Sequence, residues 1–416
     1  MIKIIIIILF LSQSFGNEIS KNYDIELIFG NAVSKITNKN FRGLNELNNF
    51  LIKSNYNVKS ENIFLKISPV FIEGRVVFDE SFIKYKFKDS YFYAGRYLSN
   101  LTSENKKYSS GSMIESGNSL IIPKIGLTTK KEIFDLIFDF EIYHGIMKKN
   151  DQITKAPFIH DKKLYVRKYH NNTIFSIGLN HSAIWGGASI QYGTQPLGFK
   201  NFVRVFLGDK SEDNVGTISD QGNALGEVKG MWDFSIDINR DFVKTRFYYQ
   251  YFFEDGSGLK FQSFDNKFDG LIGLQHETEH FFFIFEFLKT TYQGGPIHPP
   301  GVDSYYFTRA YPPGWVYEGR SIGNMFINPM NNRTKMNHIF YKYKFTDLSF
   351  FIDASFGKYF IPFTEKMDYS DLILNDNGIK FEEFVIGFEK IFQKQNFIIK
   401  TFFEKESVIL SINYIF

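Results

Sequence analysis

No cysteine occurs anywhere in the 416 residues, so disulfides and thiolate metal sites are excluded and the fold must hold by backbone pairing and packing. Proline is scarce, 11 in all, and five of these fall between Pro296 and Pro313, which marks that stretch as loop. Charge of one sign is lacking too. Lys and Arg total 48 against 45 Asp and Glu, and the net charge of +3 is too small to imply a nucleic-acid partner. After an apolar N-terminus, no run of about 20 apolar residues follows, so no membrane-crossing helix is read from the pattern.

What the chain has instead is aromatic side chains, 49 Phe and 24 Tyr. A water-soluble protein would need a very large core to bury them, whereas a transmembrane β-barrel turns them outward to lipid and into interfacial girdles. The mean hydropathy of −0.20 then looks soluble only because the inward residues are polar. Period-two segments support this reading. Tyr85 and Phe87 alternate with Lys84, Lys86 and Lys88; Phe247, Tyr249, Tyr251 and Phe253 alternate with Tyr248, Gln250 and Glu254. Phe350, Ile352, Ala354 and Phe356 alternate with Asp353, Ser355 and Gly357. The chain ends with Val408, Leu410, Ile412, Tyr414 and Phe416 on one face, which suits a closing strand that engages the barrel assembly machinery.

The fold class predicted is all-β, an antiparallel transmembrane barrel of about 18 strands (16–20 by roughly 20 to 24 residues per strand and connection), with inward or capping loops. Lys3, the apolar Ile4 to Leu11 and Ser14-Phe15-Gly16 read as a removed secretory signal over residues 1–16. Residues 17–60 are assigned to an N-terminal periplasmic segment, and 61–416 to the barrel. Phe41, Leu44, Leu47, Phe50 and Leu51 recur at helical spacing within Asn38 to Asn57, which predicts a short amphipathic helix at the periplasmic side. Gly216 to Gly230 reads as a second loop that caps the mouth or folds inward.

Several ordered blocks carry a resemblance. Ser109 to Gly126 (S-S-G-S-M-I-E-S-G-N-S-L-I-I-P-K-I-G), Pro157 to Arg167, Leu179 to Gly187, Tyr248 to Leu259 and Gly314 to Asn324 resemble the Wzi-type capsule assembly family, from about Arg75 to the C-terminus. The resemblance implies an outer-membrane barrel with small helical elements at its periplasmic side, both termini periplasmic, and a lectin role in holding capsular polysaccharide. No catalysis and no cofactor are expected.

The residues themselves suit a sugar-facing role. Trp185, Trp232 and Trp315 fall in or beside Gly-rich breaks, where indole faces stack on sugar rings while Asp233, Glu254, Asp255, Arg320 and Asn324 fix hydroxyls. Equally, Trp anchors barrel ends at the interface, Asp255-Gly256 makes a tight turn, and Arg167, Asp233, Glu318 and Arg320 form inward ion pairs. His160 and His181 share that ambiguity.

His276-Glu277-Thr278-Glu279-His280 matches the zinc-protease pattern H-E-x-x-H, which needs a helix. Its flanks are strand-like, and in a strand residues four apart stand about 13 Å from each other, too far to share one zinc. A hairpin turn is predicted and no metal site. No nucleophile elbow, phosphate loop or dinucleotide fingerprint occurs. Three functions remain in view: a polysaccharide-attachment barrel, a porin or sugar channel, and an outer-membrane hydrolase.

Overall fold

The computed structural model describes residues 20–44, 50–254, 268–293, 304–308, 310–312, 314–360 and 378–416. It is an 18-strand antiparallel barrel, closed because the first strand pairs with both the second and the last. The strands are β1 Ser20–Phe29, β2 Phe50–Lys59, β3 (Ile63–Ile67 continued by Pro69–Ile72), β4 (Arg75–Phe78 continued by Phe82–Phe87), β5 Ser90–Gly95 and β6 Lys124–Ile133. Next come β7 Leu136–Ile146, β8 Phe158–His170, β9 Thr173–Trp185, β10 Glu227–Arg240, β11 Val243–Phe253 and β12 Gly270–Glu277. The barrel finishes with β13 Phe281–Lys289, β14 Arg333–Lys344, β15 Leu348–Phe360, β16 Ile379–Phe392, β17 Phe397–Phe403 and β18 Val408–Ile415. The signal sequence proposed for residues 1–16 lies outside the described residues.

Connections alternate between short and long. One rim carries tight turns such as 88–89, 134–135, 171–172 and 241–242, together with both ends of the wall at Ser20 and Phe416. The opposite rim carries the long connections, including 96–123, 186–226 and 290–332.

The period-two reading of the wall is visible where burial alternates along a strand. On β15 Phe356 is exposed, while Asp353 and Ser355 are buried toward the lumen; on β4 Tyr85 and Phe87 are exposed. On β18 Val408, Tyr414 and Phe416 face out and Ile409 and Ser411 face in. The terminal ring packs on Tyr23 at 5.2 Å between centroids, and the Phe416 N–H donates to the Tyr23 carbonyl at 2.9 Å.

The N-terminal region differs from expectation. Ser20–Phe29 and Phe50–Lys59 are strands of the wall, paired from Ser20↔Lys59 to Phe29↔Phe50, so the barrel includes most of residues 17–60. The ladder overrides the helical spacing: adjacent Phe50 and Leu51 go to opposite faces, the first exposed and the second buried. The helix that does form is α1, Lys35–Asn40, capped by the Ser34 hydroxyl, which accepts from the Thr37 N–H at 3.1 Å. It belongs to the long-connection rim, away from the termini, as do α2 Phe199–Leu207 and α3 Ile218–Gly222. These are the three α-helices among the described residues.

Glycine inside the ladder has a packing reason. Directly opposite Tyr93, Tyr165, Tyr248 and Phe351 stand Gly126, Gly178, Gly273 and Gly387, and a Cβ on any of them would fall 1.9–2.4 Å from the facing ring. The ring therefore lies flat across its neighbour strand.

Candidate functional site

The site is the lumen and what fills it. Most described residues of two long-rim segments, around Ser99–Ile122 and Tyr305–Ile327, are buried inside the barrel and on each other. Polar contacts between them are dense. The Trp315 indole N–H donates to the Ile114 carbonyl at 2.8 Å, and the Ser116 N–H to the Ile322 carbonyl at 3.0 Å. Asn118 Nδ2 donates to the Ser321 carbonyl at 3.0 Å, and Asn324 Nδ2 to the Gly111 carbonyl at 2.7 Å. The Ser109–Ser119 run is Ser, Gly and Asn-rich because small residues let two backbones approach and bond with little steric cost.

Wall carboxylates hold this plug. The Tyr165 ring crosses Gly178 on β9, and its hydroxyl donates to Asp233 on β10 at 2.8 Å. Asp233 then accepts the plug's Ser103 N–H at 2.8 Å and its hydroxyl. Tyr248 likewise crosses Gly273 to donate to Glu286, which accepts the Ser110 N–H at 2.6 Å. Tyr93 crosses Gly126 to Glu141 at 2.9 Å. Gln250 accepts from the Met113 N–H at 3.1 Å and donates to Glu104 at 2.7 Å.

A buried ion cluster completes the attachment. Lys124 contacts Glu115 at 2.5 Å, while Lys163 lies 3.0 Å from Asp161, 3.1 Å from Glu141 and 3.6 Å from Glu115. Burial alone would raise the Glu115 pKa; the two ammonium groups outweigh it and hold the carboxyl at about 2.

Cavities remain beside the plug among the described residues, two of which bear on the site. One of about 510 Å³ sits at the short-turn side of the plug, lined by Asn100, Glu104, Lys106, Asp237, Arg246 and Glu277 among others. The other, about 220 Å³, lies between α1, the plug and the wall, beside Lys53, Asp79, Lys342 and Glu389.

The sequence-predicted residues disperse around this assembly. Trp315 is fully buried in the plug, so the reading of it as an open stacking platform is corrected: no face is free for a sugar ring. Trp185 points outward from the end of β9 and is covered by Phe158, His144 and Phe202 at 5.5–5.7 Å between ring centroids. Trp232 also faces outward, in register with Leu179 and Tyr251, as an aromatic of the wall's outer face. Asp233 and Asn324 hold the plug from inside.

Glu254 accepts the Tyr306 N–H at 2.8 Å and pairs with Lys229 at 3.1 Å; burial raises its pKa to about 7. Arg320 belongs to a mouth hairpin and donates to Asn118 at 2.7 and 3.0 Å. Asp255 lies outside the described residues. Arg167 pairs with Asp139 inside the lumen, and Glu318 with Lys148 at the mouth. His160 and His181 point outward.

The H-E-x-x-H segment is a hairpin turn. His276 sits on β12 opposite Phe283 with its Nδ1 2.9 Å from Thr245 Oγ1, and the Thr278 N–H donates to the Phe281 carbonyl at 2.8 Å.

The sequence reading missed the tyrosine–glycine–carboxylate arrangements altogether. Glycines inside period-two strands were the available signal.

Among solved structures, Wzi of Escherichia coli, described as a carbohydrate-binding β-barrel of the outer membrane involved in group 1 capsule assembly, superposes with a TM-score of 0.64 at 11% identity over 95% of this chain and 84% of that one. OccK3 (OpdO) of Pseudomonas aeruginosa gives 0.47 at 11% identity, over 95% of this chain and 96% of that one. The same organism's OpdK gives 0.47 at 8%, over 97% and 100%. A search of curated protein sequences found no match. The family model described as capsule assembly protein Wzi matches residues 35–349, so the match begins upstream of Arg75 and ends before the C-terminus. This β-barrel belongs to the Wzi capsule assembly family.

Proposed function

We propose that this barrel holds surface polysaccharide on the cell as a lectin, with its short-turn rim and both termini in the periplasm and its long connections facing outward. The observation that carries the reading is the filled lumen. Backbone from two long connections occupies the space a diffusion pore needs, wall carboxylates that would line a channel are engaged by Ser103, Ser110 and Lys163, and the wall's Lys124 engages the plug's Glu115. Short turns on the periplasmic side and long loops outside are the rule for such barrels, which supports the orientation. The carbohydrate binding described for the Escherichia coli barrel supports the ligand class.

With Trp185, Trp232 and Trp315 all covered or turned outward, the sugar contacts fall to polar groups at the outer mouth. The hairpin Val316–Tyr317/Arg320–Ser321 presents Glu318 at its tip, paired with Lys148, and Arg320 beside the turn, opposite Tyr317. These groups suit hydroxyl and carboxylate recognition.

A strain lacking the protein should make the polymer and shed more of it to the medium, with solute uptake unchanged. Retention of all polymer, combined with a measurable ion conductance of the purified barrel, would establish a porin instead. The double variant Lys148→Ala/Glu318→Ala should reduce polymer retention at unchanged barrel abundance.

A further inference from the structure

Helix α2 lies on the outside of the barrel. Inward positions on β8 are known from their lumen partners, Asp161, Lys163 and Tyr165. Phe158, His160, Lys162 and Leu164 alternate with them and face out, as do His144, His181 and Trp185 by register. Against that outer face α2 packs Phe202, 5.3 Å from His160 and 5.5 Å from Trp185 between centroids. Phe206 lies 5.4 Å from His160 with the Lys162 ammonium 4.1 Å from its ring centroid, and Val205 is fully buried.

The helix has more apolar surface than the wall covers. At 100° per residue, Phe199, Phe202, Val203, Val205, Phe206 and Leu207 span an arc of about 200°, leaving Lys200, Asn201 and Arg204 as the polar side. The wall takes up Phe202, Val205 and Phe206. A second stripe, Phe199, Val203 and Leu207, stays 81%, 37% and 60% exposed.

The level of the helix on the wall indicates what covers that stripe. Going up β9, the outward residues run Phe175, Ile177, Leu179 and then change to His181; on β8, Leu164 gives way to Lys162 and His160. The helix sits where the outer face of the wall turns from apolar to polar, shielding the histidines with Phe202 and Phe206. Its open stripe continues the wall's own exposed apolar belt, in which Phe175 and Ile177 are 46% and 43% exposed. Lys200 and Arg204, both bonded to Glu212, stand on the polar side.

We propose that α2 is an interfacial membrane helix, clamped to the barrel through Phe202, Val205 and Phe206 and inserted through Phe199, Val203 and Leu207 into the acyl region of the lipid leaflet at the long-connection rim. The inference rests on the wall itself being embedded in lipid.

Absence of cysteine permits single nitroxide labels on the full chain. Phe199→Cys, Val203→Cys, Leu207→Cys, Lys200→Cys and the belt control Phe175→Cys would be labelled in turn and the barrel reconstituted in phosphatidylethanolamine–phosphatidylglycerol vesicles. Folding is checked by heat-modifiable gel mobility. At positions 199, 203 and 207 the ratio of oxygen to nickel-chelate collisions should match that at Phe175→Cys, and it should invert at Lys200→Cys. Labels on the three stripe positions that collide with the chelate as freely as Lys200→Cys, while Phe175→Cys stays lipid-like, would overturn the proposal. Chelate access at Phe175→Cys as well would instead refute the lipid-embedded wall. Spin–spin broadening between chains at Phe199→Cys or Leu207→Cys would assign the stripe to a second copy and also overturn the proposal.

Discussion

Replacing Trp315 by alanine should unseat the plug without unmaking the barrel. The side chain is fully buried, and its indole N–H is donated to the Ile114 carbonyl in the other plug segment at 2.8 Å. Trp315 backbone bonds go to Tyr306 and Ile322, both inside the plug, at 2.9 and 3.1 Å, so no wall ladder bond depends on it. Truncating a buried Trp costs about 3–5 kcal/mol. Since the substitution acts on plug packing, that cost shifts the docked–undocked equilibrium roughly 10²- to 10⁴-fold toward undocked.

Single-channel recording of the purified barrel in a planar bilayer reads the consequence as open events absent from the parent. Hydrogen exchange at Met113, Ser116 and Asn324, whose amides bond to the wall's Gln250 side chain, the Ile322 carbonyl and the Tyr306 hydroxyl, should accelerate by the same factor. Trp315→Phe keeps most of the ring and loses the N–H, leaving one buried carbonyl unpaired at a cost of about 1–3 kcal/mol, so its effect should be intermediate. Alanine and phenylalanine variants that conduct and exchange like the parent would refute the claim that the two segments hold each other in place.

Three further outcomes follow from other sites. The Glu115 pKa is depressed from its ordinary 4.5 to about 2, so the stability it contributes is present above pH 4.5 and is lost as pH falls toward 2; acidification across that window should open the plug, and Glu115→Gln should remove the response. Conductance and plug hydrogen exchange against pH measure it. His276→Ala/His280→Ala should leave polymer retention intact and the purified protein without stoichiometric zinc, read by metal analysis, because His276 is a wall residue bonded to Thr245. Deleting Phe416 removes the ring that packs on Tyr23 and Tyr414 at 5.2 and 4.5 Å, and should lower the outer-membrane level of heat-modifiable barrel on gels.

The wall was legible because a sheet between lipid and lumen imposes a period of two that local sequence cannot conceal, as on β11 and β15. The H-E-x-x-H turn was legible for a related reason: a metal geometry that needs a helix conflicts with strand-like flanks. Residues 17–60 were misjudged because Phe41, Leu44, Leu47, Phe50 and Leu51 mimic a helical stripe. Only pairing with β1, a contact between distant segments, sends Phe50 and Leu51 to opposite faces. Inward or capping loops were expected, but the segments that form the plug were not legible, for a different reason. Its residues obey neither period, since irregular backbone buried among wall carboxylates is specified by partners that lie far along the chain, such as Ser103 with Asp233 and Ser110 with Glu286.

The tyrosines explain how one wall serves both purposes. A carboxylate facing a barrel lumen usually needs a cation or water, and a buried backbone segment needs acceptors for its N–H groups. Laying Tyr165 and Tyr248 across Gly178 and Gly273 brings a phenol to Asp233 and Glu286 from two strands away, which satisfies one lone pair and fixes each carboxylate in place. The remaining lone pairs then meet Ser103 and Ser110 at defined positions. A larger residue at either glycine would meet the facing ring within 2.2 Å and push the phenol off its carboxylate. Gly178→Ala should therefore loosen the plug through Asp233 while leaving β8 and β9 paired, because the substitution acts on the ring's path and not on the ladder. Unchanged exchange at the Ser103 amide in that variant would show that Asp233 holds its position without the phenol.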